Sequence, residues 1–137
     1  MDIKDRKDVD GLIRGIRGAT QVDRDEAHHI LERTQELLLE MARANDIRPE
    51  DMSSICFTMT PDLHATFPAE AARQIGWQYV PVICMRELDV PHGLPMTVRI
   101  LMQAETQKSQ EEIRHIYQYG AVVLREDLVK SREESQG

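Results

Sequence analysis

Three absences narrow what this chain can be. It has no surplus of positive charge: 17 Lys and Arg stand against 24 Asp and Glu, for a formal net charge of −7. A nucleic-acid partner is thereby disfavoured, because holding phosphates needs a basic surface or stripe. A small anion is still within reach, provided that a few arginines gather in one cleft against the global field. It has no apolar run near the ~20 residues of a membrane span. Its start, MDIKDRKDVD, is charged and lacks the apolar stretch of a secretory signal. It has only two cysteines, Cys56 and Cys84, which suggest neither a disulfide framework nor a close metal-ligand pair. The expectation is a cytoplasmic protein with reduced thiols and no membrane partner. No internal repeat or low-complexity tract is present.

What is there suits one soluble domain. The chain has 137 residues, 41% hydrophobic and 30% charged, long enough to bury a core without staples. Residues 1–10 read as a flexible extension, 11–128 as the folded domain and 129–137 as a flexible tail. Leu12 to Val22 alternates loosely and predicts a strand, after which Asp23 and Asp25 offer N-cap oxygens. Ile30, Thr34, Leu37, Leu38 and Met41 then form one stripe of a 3.6-residue period, a helix ending near Asn45, before the Arg48-Pro49 turn. Ile55–Met59 reads as a buried strand. Pro68 opens a short helix over Ala69–Ile75, closed by Gly76. Tyr79–Met85 predicts a strand that Pro81 confines to an edge or bulge. Val90–Pro95 is a loop, and Val98–Ala104 a strand. Ser109 with Glu112 forms a capping box for a helix from Gln110 to about Tyr117, and Ala121–Leu124 reads as a last strand. Strands and helices alternate, so the class is α/β or α+β. Short strands with many edges are safer inside an oligomer than open to solvent.

Nothing points to nucleophilic or metal chemistry. His28 and His29 are adjacent on a helix, diverge by ~100° and cannot share a metal as an i, i+4 pair does; they read as solvated. His64, His92 and His115 are scattered. Cys56 reads as an ordinary buried thiol.

Several blocks, in order and in register, carry a resemblance. They are Arg14-Gly15-Ile16-Arg17-Gly18-Ala19, then Thr60-Pro61-Asp62-Leu63, then Phe67-Pro68-Ala69-Glu70-Ala71-Ala72-Arg73. Gly76-Trp77-Gln78-Tyr79-Val80-Pro81 and Cys84-Met85-Arg86-Glu87-Leu88-Asp89-Val90 follow. Last come Arg99, Arg114-His115-Ile116-Tyr117 and Ala121-Val122-Val123-Leu124-Arg125. From Leu12 to Leu128 the chain resembles the monofunctional, non-helical chorismate mutases. The resemblance implies an α+β fold, assembled as a pseudo-α/β-barrel homotrimer with mixed sheets inside and helices outside. It implies active sites in the clefts between subunits, with no cofactor and no metal. By position, Arg17 resembles the arginine that holds a substrate carboxylate, Arg99 the one facing the breaking ether bond, and Glu87 the carboxylate that takes the ring hydroxyl. Tyr117 resembles a tyrosine near a carboxylate. Cys84 is implied on the cleft wall as lining, Phe67, Ala69 and Arg73 as a mobile wall and rim, and Leu124 as part of a closing tail. Glu70 stands where some relatives carry a basic residue and is assigned no role, and Ile83 stands where a hydroxyl residue can occur.

The chemistry fits these residue types. Chorismate rearranges to prephenate in one concerted step that breaks a C–O bond and makes a C–C bond. No proton moves. Such a site needs a folded substrate conformer and a cation at the ether oxygen, which gains negative charge as its bond stretches. Taken singly, an arginine such as Arg17, Arg73 or Arg99 is most often a surface ion-pair residue, and Tyr117 caps a hydrophobic edge. The competing functions are a trimeric small-carboxylate-binding or imine-hydrolysing protein, which needs a single arginine, and a non-catalytic metabolite sensor. A dianion calls for two or three arginines with Glu87, so the cation count of the cleft discriminates.

Overall fold

The longest apolar stripe builds α1, Ala27–Ala44, and buries Ile30, Thr34, Leu37, Leu38 and Met41. The computed structural model describes residues 11–125; the expected extension at 1–10, the tail at 129–137 and the domain end at residue 128 lie outside the described residues. Among the described residues no helix is long and apolar enough to cross a membrane.

α1 ends where Asp46 takes a left-handed φ of 54°. The Asp46 and Ile47 N–H groups donate back to the carbonyls of Arg43 and Ala42, at 3.3 and 2.9 Å, which satisfies the last turn. Asn45 is fully buried. Its amide donates to the Met41 and Arg114 carbonyls at 2.8 and 2.9 Å and accepts the Arg114 N–H at 2.8 Å. One side chain thus fastens the helix end to the strand entry that follows Arg114.

Among the described residues five strands form one mixed sheet: β1 Leu12–Gln21, β2 Met52–Met59, β3 Val82–Arg86, β4 Thr97–Thr106 and β5 Ile116–Gln118. The order is β3-β2-β4-β1-β5. β4 runs antiparallel to β1 and β2, while β3 lies parallel to β2 and β5 parallel to β1. The short helix α2, Glu70–Gln74, closes as expected at Gly76, φ 91°. There the Gly76 and Trp77 N–H groups bond to the carbonyls of Arg73 and Ala72. β3 is an edge strand and begins just after Pro81, whose missing N–H makes it a poor ladder residue.

The core lies between α1 and one face of the sheet. Ile16, Ile55, Phe57, Ile100 and Met102 meet Leu37, Leu38 and Met41 there, with Trp77 and Ala72 from the α2 region. The helix sits so close that a Cβ on Gly18 would come 2.4 Å from Met41 Sδ. The opposite face is not covered by α1 or α2. On it Ile13, Ile83, Met85 and Leu101 are 42–56% exposed.

Four expectations are corrected. Asp23 and Asp25 do not cap α1; the N-cap position is Glu26, without a side-chain bond. Asp23 pairs with Arg33, and Asp25 accepts the N–H groups of His64 and Ala65. His29 is not solvated: it is buried, and its Nε2 accepts the Asp23 N–H at 2.9 Å. The Ser109–Glu112 capping box exists but starts only a 3-10 turn over Gln110–Glu112. Residues 116–118 then pair with β1, which would otherwise leave an open edge. Residues 119–125 are not a strand; a 3-10 turn at Tyr119–Ala121 leads into helical residues 122–125.

Replacing Asn45 by Ala strands the Arg114 amide and carbonyl. We expect a loss of about 1–3 kcal/mol, measured as a lower urea midpoint at fixed protein concentration. A midpoint equal to wild type contradicts this account.

Candidate active site

Strand register places most of the candidate residues. Thr58 stands opposite both Met85 and Arg99, Arg99 opposite Ala19, and Ala19 opposite Tyr117. Directly paired residues point to the same face, so these five form one row across all five strands. The next row runs Ile83, Cys56, Leu101, Arg17. Both rows lie on the face turned away from α1.

A cavity of about 540 Å³ opens over these rows, a size typical of small-molecule sites. Arg17, Glu87, Arg99, Tyr117 and Leu124 all line it, together with Cys56, Thr58 and Met85. Glu87 follows β3 and extends its ladder, donating its N–H to the Met59 carbonyl at 2.8 Å. The Thr58 hydroxyl donates to Glu87 Oε2, and Arg99 Nε stands 3.7 Å from the same oxygen. That distance is an ion pair but not a hydrogen bond. Arg99 Nε is buried and donates to nothing among the described residues. A buried N–H left open is costly unless an acceptor arrives. Arg17 is exposed to the cavity and pairs with no carboxylate among the described residues; its backbone N–H donates to His115 Nδ1 at 2.9 Å. Two guanidiniums against one carboxylate leave the cavity cationic inside an acidic protein.

The remaining four candidates lie elsewhere. Phe67, Ala69, Arg73 and Cys84 line a second concavity of about 430 Å³ beside the exposed edge of β3. Cys84 pairs in register with Phe57, which faces α1, so it points to the side of the sheet opposite Arg99. Within one protomer, then, Cys84 does not share a wall with Glu87. Burial pushes its thiol above the ordinary value, against a weaker opposite effect from the Ala69 backbone. Arg73 is an exposed helix residue, 3.6 Å from Glu70.

Sequence reasoning missed Thr58 and Cys56 as cavity residues. The signal was the alternation in Ile55–Met59: Ile55 and Phe57 are buried, and the intervening Cys56 and Thr58 must face the other way. Among the described residues, no three His, Cys, Asp or Glu side chains cluster closely enough to hold a metal ion.

Comparison with known proteins shows the family of the chain. The family described as Chorismate mutase type I matches residues 13–128. Chorismate mutase AroH of Bacillus subtilis (strain 168) is 50% identical over 118 residues, covering 85% of this chain and 93% of that protein. Chorismate mutase AroH of Thermus thermophilus is 47% identical over 118 residues, covering 85% and 97%. A solved chorismate mutase from Clostridium thermocellum superposes with a TM-score of 0.79 at 45% identity, covering 80% of this chain and 98% of that one.

A raised Cys84 pKa means less thiolate near neutrality, and the thiolate is the reactive form. The rate of alkylation by iodoacetamide, followed by mass spectrometry, should rise with pH to a midpoint above that of a free cysteine peptide. A midpoint at or below the peptide's contradicts the desolvated environment.

Proposed function

Because the chain belongs to the chorismate mutase type I family and isomerises chorismate to prephenate, we propose that it works as a homotrimer whose sites are completed between subunits. This reaction belongs to aromatic amino-acid biosynthesis, and the two free thiols support a cytoplasmic location. The observation that carries the reading is the cavity in which Arg17, Glu87 and Arg99 converge. Two cations there suit a dianion better than the single carboxylate of a small imino acid.

The assembly is supported by the division of the candidates into two concavities. The first holds the cationic set, the second Phe67, Ala69, Arg73 and Cys84. A neighbour that brings its second concavity to the mouth of the first reunites all nine residues. The uncovered apolar face of the sheet supplies the surface for such packing, since exposed patches of this kind mark interaction sites. Three copies around one axis would bury that face in a pseudo-α/β-barrel.

In this site Arg17 grips a carboxylate and Tyr117 stands near one, so that chorismate is held in its chair-like reactive form. Arg99 directs its open Nε–H at the ether oxygen. The charge there grows as the C–O bond stretches, so the interaction favours the transition state over the ground state. Glu87 accepts the ring hydroxyl with one oxygen while Thr58 and Arg99 hold the other. Positioning and electrostatics carry the reaction, with no proton transfer and no covalent intermediate. No cofactor or metal takes part.

Arg99→Ala should lower kcat by about 10²–10³, or roughly 3–4 kcal/mol, followed as loss of chorismate absorbance. Arg99→Lys should recover little, because an ammonium lacks the planar fork. Wild-type kcat in Arg99→Ala would overturn the assignment. Subunit sharing has its own test: co-refold Arg99→Ala with Arg73→Ala chains. Random trimers place two intact halves together at about one quarter of sites, so activity should reappear; no recovery means that each site lies within one chain.

A further inference from the structure

The cavity wall made by Tyr117 and Leu124 sits on the thinnest part of the fold. β5 is three residues long and leads at once into the turn at Tyr119–Ala121. Within that turn Ala121 is fully buried, and further fixings come from outside the segment. Tyr119 adopts φ 54°, a left-handed conformation that an aromatic residue keeps only when its surroundings impose it. Those surroundings include two residues one turn apart on α1. Arg33 lays its guanidinium over the Tyr119 ring, 3.5 Å from the centroid, and Glu36 accepts the phenol hydrogen at 2.6 Å. Arg33 is nearly buried. It also donates to the Gln21 carbonyl at 2.6 Å and to Asp23 at 2.9 Å. The turn is seated on the same Gln21: a Cβ on Gly120 would come 1.7 Å from its Oε1. One guanidinium therefore ties together the end of β1, the helix α1 and the turn between Tyr117 and Leu124.

We propose that Arg33, Tyr119 and Glu36 form a clamp of positioning residues that sets the Tyr117–Leu124 wall against bound substrate. None of the three lines the cavity; they act through the wall. The bond to Glu36 keeps the phenol protonated beyond its ordinary range, so the clamp stays closed across neutral pH. The inference rests on the site assignment made above. It adds a group of residues on the far side of the sheet from Arg99, on which substrate affinity depends.

The test is steady-state kinetics with chorismate on Tyr119→Ala, Tyr119→Phe and Arg33→Gln, with Leu124→Ala combined singly and doubly. A displaced wall weakens ground-state and transition-state binding alike, so Tyr119→Ala should raise KM about tenfold with kcat within about twofold. Tyr119→Phe keeps the ring on Arg33 and should raise KM less. In the Leu124→Ala background the Tyr119 effect should shrink, because the two act through one wall. An unchanged KM, a fall in kcat alone, or effects that simply multiply would overturn the clamp. If Tyr119→Ala does not fold, Tyr119→Phe and Arg33→Gln give the same readout. Arg99→Ala run alongside separates the two ideas: normal KM in the clamp variants beside a crippled Arg99→Ala removes only the clamp, whereas a fully active Arg99→Ala removes the site assignment itself.

Discussion

Alternation along β4 is the constraint from which the rest follows. Val98, Ile100, Met102 and Ala104 turn inward and are almost wholly buried, while Arg99 and Leu101 turn the other way. A one-residue slip would drive the Arg99 guanidinium into the apolar core and expose four core side chains. The register of β4 with β1 and β2 is thus set by hydrophobic burial on one face. That same register aligns Arg99 with Thr58 and Ala19 on the other. The core and the proposed site use opposite faces of one strand.

The cost of holding charge at that surface is met locally. Glu87 is flanked by the Thr58 hydroxyl and the Arg99 guanidinium, which keeps both ions partnered while neither is saturated. In the proposed mechanism a fully bonded Arg99 would have nothing left to offer an ether oxygen. An Arg99 with no carboxylate nearby would be hard to keep in a half-buried position. The 3.7 Å separation lies between these limits.

Much of the fold is legible in the sequence. The stripe from Ile30 to Met41 has a long period-3.6 pattern, and α1 follows it closely. The strand at 12–22 was visible as a loose alternation and that at 55–59 as a short apolar run, and 98–104 also read as a strand. Legibility failed where local signals and tertiary demand diverged. Ser109 and Glu112 do make their capping bonds, yet the chain after them is claimed by the free edge of β1 rather than by a helix. Asp23 and Asp25 had good capping chemistry, but Arg33 and the 64–65 backbone offered them other partners. The ordered blocks single out Arg17, Glu87 and Arg99 as candidates. Their convergence in one cavity, and the separation of Cys84 and Phe67 from it, required strand register, which no local pattern encodes.

The sign of the cavity's charge is opposite to that of the molecule around it. At the ~8 Å screening length of physiological saline, a doubly negative solute a few molecular diameters away scarcely senses the overall −7. Only at the mouth does it meet a field, and there the nearest groups are guanidiniums. In very dilute buffer the whole acidic surface would push such a solute away before the cleft could draw it in. At the proposed site the ionic medium would therefore do part of the work of capture, by hiding the bulk of the protein and leaving its cleft exposed.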